Sequence, residues 1–254
     1  MNINDTESAD IHTPTGPMRT YIFRPVAEGR YPGLVLFSEI FQVTGPIRRV
    51  ATMLASHGFV VAVPEIFHEL EPVGAVLAYD GAGAERGNRH KITKTLSSYD
   101  HDARAALDFL KGSRHCTGKL GVMGICIGGH LAFRAAMQPD ALAGACFYAT
   151  DIHTRSLGKG MHDNSLDRIS EITGELLMIW GRQDPHIPRE GRAVIYNALS
   201  EANRHFQWHE FNAAHAFLRD EGPRYDPAAA RICYDMTLEL FARKLGEGDR
   251  RVPL

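Results

Sequence analysis

The chain of 254 residues reads as an α/β protein: a mostly parallel central sheet with helices on both faces. Two observations predict it. Short, continuously apolar runs recur along the chain, as strands covered on both faces require. Between them lie segments with apolar residues at three- and four-residue spacing, as crossover helices require.

The elements follow in order. Tyr21–Arg24 reads as a short strand after a polar lead, and Gly33–Glu39 as a buried strand. Pro46–His57 has helical spacing in Ile47, Val50, Met53 and Leu54, with Gly58 placed to end it. Phe59–Pro64 is the next buried strand. Residues 67–98, rich in glycine and charge, are expected to form a long loop or short helices capping a site. Asp100–Lys111 reads as a helix, Leu120–Gly124 as a strand, and Gly129–Met137 as a helix stopped by Pro139. Strands over Leu142–Tyr148 and Glu175–Trp180 follow, then a helix over Arg189–Ala202. A strand over His205–Phe211 and a helix over Ala228–Leu245 close the fold. No repeat, linker or composition break appears, so residues 1–254 are expected to form one domain. Residues 1–18 and 246–254 are expected to be peripheral tails.

Composition narrows function. With 28 Lys and Arg against 30 Asp and Glu, the formal charge is −2, not the basic footprint of a nucleic-acid binder. No stretch approaches the roughly 20 apolar residues that span a bilayer. The polar, acidic N-terminus lacks the pattern of a secretory signal, so a cytoplasmic location is expected. The four cysteines, Cys116, Cys126, Cys146 and Cys233, are too few for a disulfide scaffold and form no CxxC pair.

In open α/β sheets, reactive groups gather at the carboxyl ends of strands. There the sequence places Gly124-Ile-Cys-Ile-Gly-Gly129, between a strand and a helix. A tight turn that lifts one side chain out of a sheet leaves no room for neighbouring Cβ atoms. The following helix N-terminus favours negative charge on the Cys126 sulfur. The segment lacks the G-x-G-x-x-G spacing of a dinucleotide site and the Lys-Ser/Thr of a P-loop.

A nucleophilic thiol needs a base, and the base needs an orienting acid. Asp184 follows the strand ending at Trp180, and His215 follows the strand ending at Phe211. The order Cys126, Asp184, His215 is the nucleophile–acid–histidine order of the α/β-hydrolase fold. Three other readings stay open: a zinc site, a ligand receptor that retains the fold, and a redox-sensing Cys126. The zinc reading would use His205, His209 and His215. On one strand His205 and His209 would lie about 13 Å apart, too far for one tetrahedral ion.

From about Tyr21 to Leu245 the sequence resembles the dienelactone hydrolase family. The resemblance is carried by Gly124-Ile-Cys-Ile-Gly-Gly129, by Gly181-Arg-Gln-Asp184-Pro, by Ala214-His-Ala-Phe-Leu-Arg219 and by Ser38-Glu-Ile-Phe41. It implies an α/β-hydrolase fold and cleavage of an ester or lactone, carboxylated in the family's substrates, with no metal or organic cofactor. It implies that Glu39 interacts with the resting thiol, and the two negative charges would raise each other's proton affinity. It implies an oxyanion hole from the amides of Ile127 and Ile40, and a substrate-carboxylate role for Arg219. The family's second substrate arginine falls in the stretch holding Arg86 and Arg89. The chain departs from the family at Gln42, where glycine is common, and in a longer segment over Asp151–Ile172.

Overall fold

The structure is a computed structural model, and it describes residues 1–246. Its frame is one eight-stranded sheet in the order β1-β2-β4-β3-β5-β6-β7-β8. The strands are β1 (Ile3–Thr13), β2 (Gly16–Pro25), β3 (Tyr31–Phe37), β4 (Val60–Pro64), β5 (Cys116–Ile125), β6 (Ala141–Phe147), β7 (Glu175–Gly181) and β8 (Phe206–Phe211). β1 and β2 pair antiparallel, β2 pairs antiparallel with β4, and β4 through β8 run parallel.

Among the described residues six α-helices accompany them: α1 (Gly45–Ser56), α2 (Gly81–Thr93), α3 (Leu96–Gly112), α4 (Ile127–Ala135), α5 (Arg189–Glu201) and, after the last strand, α6 (Pro227–Leu245). Successive strand residues face opposite sides of a sheet. A Cβ at Gly33 would meet Leu110 of α3, whereas one at Gly121, paired with the next residue Leu34, would meet Phe241 and Leu245 of α6. α3 and α6 therefore cover opposite faces. The central strands β3 to β7 are almost wholly buried, which is why they read as unbroken apolar runs.

Two expectations need correction. Residues 1–18 are not a tail: they form β1 and the start of β2. β1 lies at the sheet edge with mostly polar residues facing water, so no apolar alternation betrays it. Its register is held by ion pairs across the hairpin, Arg19 Nε to Asp10 at 2.6 Å and Arg24 to Glu7 at 2.5 Å. Residues 67–98 hold a full helix, α2, and the first turn of α3. Gly87 of α2 lies so close to the backbone carbonyl of Ile40 that any Cβ would overlap it. Gly87, one of the glycines that hid the helix, is thus what lets it press onto the loop after β3. The Gly246 N–H closes α6 by donating to the Ala242 carbonyl at 3.0 Å. The remainder of the expected 246–254 tail lies outside the described residues.

Candidate active site

Cys126 sits at the end of β5, as the N-cap residue of α4, with φ +63° and ψ −123°. A Cβ at Gly124 would overlap the Gly128 carbonyl oxygen, and one at Gly128 would overlap the Phe37 carbonyl. The Cys126 backbone is held on both sides. Its N–H donates to the Phe147 carbonyl at 3.0 Å, and its carbonyl accepts from Gly129 at 3.0 Å and Thr150 at 3.3 Å. Every residue of α4 is buried behind it. Arg134, almost fully buried, is held by Asp100 at 2.7 Å and by Ser165 at 2.9 Å.

Asp184 and His215 come from the loops after β7 and β8, which the Gln183 N–H to Ala213 carbonyl bond ties together at 3.0 Å. Asp184 Oδ2 and His215 Nδ1 lie 2.6 Å apart, both residues buried. Asp184 Oδ1 accepts from the His186 N–H at 2.8 Å. A carboxylate can only accept, so Nδ1 donates to Asp184 and Nε2 is the ring nitrogen left for another partner. Burial alone would push the His215 pKa down. The electrostatic influence of Cys126 and the hydrogen bond to Asp184 outweigh it and lift the pKa to about 10. The ring is packed edge-on against Tyr148 at 5.0 Å and His186 at 4.7 Å.

Glu39 follows β3 and is 2% exposed. Burial raises its pKa, and Arg219, the Tyr79 hydroxyl and His215 pull against that rise. The repulsion expected from Cys126 is not among the leading influences. Instead Tyr79 donates to Glu39 Oε2 at 3.1 Å, and Arg219 Nη1 lies 4.0 Å from Oε1. The Arg219 guanidinium lies over the Tyr79 ring at 4.1 Å, and its Nε donates to the Glu221 carbonyl at 3.0 Å. Glu39, Tyr148 and Arg219 line a small internal cavity of about 10 Å³, together with Ile47, Ile125 and Leu218. Neither the Ile127 nor the Ile40 N–H has an acceptor among the described residues.

The other two expected substrate arginines are engaged elsewhere. Arg86 gives both arms of its fork to the buried Glu71, at 2.6 and 2.8 Å. Arg89 is exposed and pairs with Glu85 at 3.7 Å. Tyr79, Tyr148, Thr44 and His186 escape sequence reasoning, since none sits in a recognisable pattern. Thr44 and Tyr79 share a hydrogen bond at 2.7 Å. Asp151, in the expected 151–172 insertion, holds Lys91 of α2 at 2.9 Å.

The structure does not gather the imagined zinc ligands. Among the described residues, the one His/Cys/Asp/Glu group with ligand atoms close enough together for a metal is His68, Glu69 and Asp102. There the buried Lys94 ammonium already lies 2.8 Å from Glu69 and 2.5 Å from Asp102. An internal cation thus sits where a metal would.

A sharp strand-to-helix turn carrying a thiol, with an acid and a histidine on later strand ends of a mostly parallel sheet, defines the α/β-hydrolase class. Residues 18–245 match the dienelactone hydrolase family, and the chain belongs to that family, which makes it a hydrolase of the lactone and ester kind. A Saccharomyces cerevisiae relative with the provisional name carboxymethylenebutenolidase is 42% identical over 93% of this chain and 90% of its own. The carboxymethylenebutenolidase of Pseudomonas sp. strain P51 is 28% identical over 85% of this chain and 87% of its own. A crystal structure from Klebsiella pneumoniae, provisionally named a dienelactone hydrolase, superposes with a TM-score of 0.84 at 21% identity. It covers 96% of this chain and 100% of that one.

Proposed function

We propose that this chain hydrolyses an activated ester or lactone of the dienelactone kind, with Cys126 as nucleophile. The reading rests above all on one observation: a buried histidine pinned by a carboxylate at 2.6 Å, in the same sheet-end site as a cysteine, on a strained strand-to-helix turn, that raises the histidine's pKa. The sulfur attacks the acyl carbon, and the C–O bond to the leaving oxygen breaks after a tetrahedral intermediate. His215 holds the thiol proton and returns it to the leaving alkoxide or enolate. Water then attacks the acyl-thiol, giving its proton to His215 and displacing the sulfur, which leaves a carboxylic acid. The free amides of Ile127 and Ile40 would receive the oxyanion, each worth roughly 3–4 kcal/mol in such sites. These steps ask for no metal or organic cofactor.

A thiolate is a good leaving group, so it turns over activated acyl groups and reverts from unactivated amides. A substrate carboxylate would meet the Arg219 guanidinium, whose fork suits two oxygens. The four cysteines are unpaired thiols, which suits the reducing cytoplasm.

The test offers a dienelactone and a panel of aryl esters to the wild type, Cys126→Ala and His215→Ala. Both variants should lose about a thousandfold or more in kcat. Turnover retained in Cys126→Ala removes the nucleophile. Binding without turnover in the wild type favours a receptor, and activity lost to chelators favours a zinc site.

A further inference from the structure

The groove between α5 and the β8 edge takes no part in the chemistry above. Its volume is about 320 Å³, within the range of small-molecule sites. Arg182, Arg189 and Arg192 line it, with Tyr196, Trp208 and Glu210. Three guanidinium groups face one carboxylate. Glu210 is already divided among neighbours: it accepts from Trp208 Nε1 at 3.1 Å and lies 3.2 Å from Arg192 Nε and 3.9 Å from Arg182 Nε.

Arg192 is the telling residue. It is 4% exposed, its Nη1 donates to the Ile187 carbonyl at 2.8 Å, and its Nε has no hydrogen-bond partner. Glu210 lies 3.2 Å from that Nε without hydrogen-bond geometry, so the buried guanidinium is charge-paired yet its N–H is left unsatisfied, which is costly. Arg189, exposed and lining the groove, has no carboxylate partner among the described residues. Beside these cations the Tyr196 and Trp208 rings meet at 84°, centroids 5.3 Å apart, and Tyr196 is 45% exposed. An aromatic corner next to surplus positive charge wants an aromatic ligand that carries an anion.

We propose that this groove is a second ligand site, for a phosphomonoester carried on an aromatic or heteroaromatic ring. One fork satisfies a carboxylate, whereas three guanidinium groups from separate positions suit a dianion with three free oxygens. The site adjoins the acid loop. Arg182 is two residues before Asp184, and Arg192 grips Ile187 of the same loop.

Phenyl phosphate is the first probe, titrated by calorimetry into enzyme whose Cys126 has been alkylated. Binding should persist after alkylation, should be weakened about tenfold or more by Arg189→Ala or Arg182→Ala, and should exceed inorganic phosphate by about tenfold. Both arginines are exposed, so neither variant endangers the fold, and ester hydrolysis by each should stay near the wild-type rate. No heat up to about 10 mM phenyl phosphate overturns the proposal. So does binding that both arginine variants leave unchanged, binding abolished by alkylation, or affinity equal to that of inorganic phosphate. Adenosine monophosphate binding more tightly than phenyl phosphate would assign a nucleotide, and weaker binding a simple aryl phosphate.

Discussion

Replacing Asp184 by asparagine tests the proposed base with almost no change of shape. Asp184 Oδ1 accepts from the His186 N–H at 2.8 Å, so the asparagine oxygen is pinned at that position. Its NH₂ group must then take the place of Oδ2, 2.6 Å from His215 Nδ1. An NH₂ can only donate, so Nδ1 becomes the acceptor and the ring proton moves to Nε2, on the side of Cys126. The imidazole can no longer take the thiol proton. A wrong tautomer of this kind costs serine hydrolases about ten-thousandfold in kcat, so a loss of a thousand- to ten-thousandfold is expected here, about 4–5.5 kcal/mol. Asp184→Ala should be milder, because it leaves Nδ1 without a partner and permits either tautomer. The assay is aryl-ester hydrolysis across a pH series, with thermal unfolding to confirm that each variant is folded. The residual Asp184→Asn rate should climb with pH, since hydroxide must remove the proton that the ring no longer accepts. A folded Asp184→Asn enzyme within tenfold of the wild type, or one faster than Asp184→Ala, would refute the tautomer argument.

Arg219→Ala should lower kcat/KM for carboxylated esters by about ten- to a hundredfold while sparing neutral esters; equal losses for both would reject the clamp. Glu39 is held neutral more readily in the folded chain than unfolded, because burial raises its pKa. Its contribution is thus favourable below the ordinary carboxylate range and is lost as pH rises through the raised folded value. Glu39→Gln should therefore raise the melting temperature near neutral pH, with the gain vanishing below about pH 4.5; a drop near neutrality would contradict this sign. At Gly124 an added methyl overlaps the Gly128 carbonyl, so Gly124→Ala should cost about 3 kcal/mol or more, read as a fall in melting temperature of roughly 6–12 °C. A variant as stable as the wild type would mean that the turn yields freely.

The sequence made the parallel core legible because strands β3 to β7 are buried on both faces and so carry little polar residue. It hid β1, whose outward side chains are polar, and α2, whose glycines at 81, 83 and 87 are poor helix formers. At the site the same division holds. Cys126, Asp184 and His215 are readable because each follows a strand and local steric need writes glycines beside the first. Tyr79 reaches Glu39 from 40 residues away, and no local pattern records that contact. Arg86 looks free in sequence, yet Glu71, 15 residues earlier, takes its whole fork. Pairings between distant side chains are set by packing, which sequence periodicity does not encode.

Among the described residues, half of the eight non-glycine positions with positive φ lie at the proposed site, the others being Asp151, Arg155, Met161 and Asn203. Gln42, Cys126, Tyr148 and Ala216 all have positive φ, at +68°, +63°, +35° and +62°, and each lies just beyond a parallel strand on the loops that form the site. Strain of this kind costs roughly 1–3 kcal/mol per residue, so four such residues together rival the net stability of an ordinary domain. It persists where surroundings leave no alternative. Gln42 holds a φ that glycine alone adopts freely. Its side chain is fully buried and accepts from the Phe67 N–H at 3.1 Å, which fixes the loop that bears Glu39 and Ile40. Tyr148 is fully buried and donates its N–H to the Ile179 carbonyl at 2.7 Å while its ring backs His215. The apolar sheet and the buried α4 thus stabilise the chain enough to hold these residues in conformations that would relax if exposed. Under the proposed mechanism, that rigidity would hold the thiol, the imidazole and the two amides in place before substrate arrives.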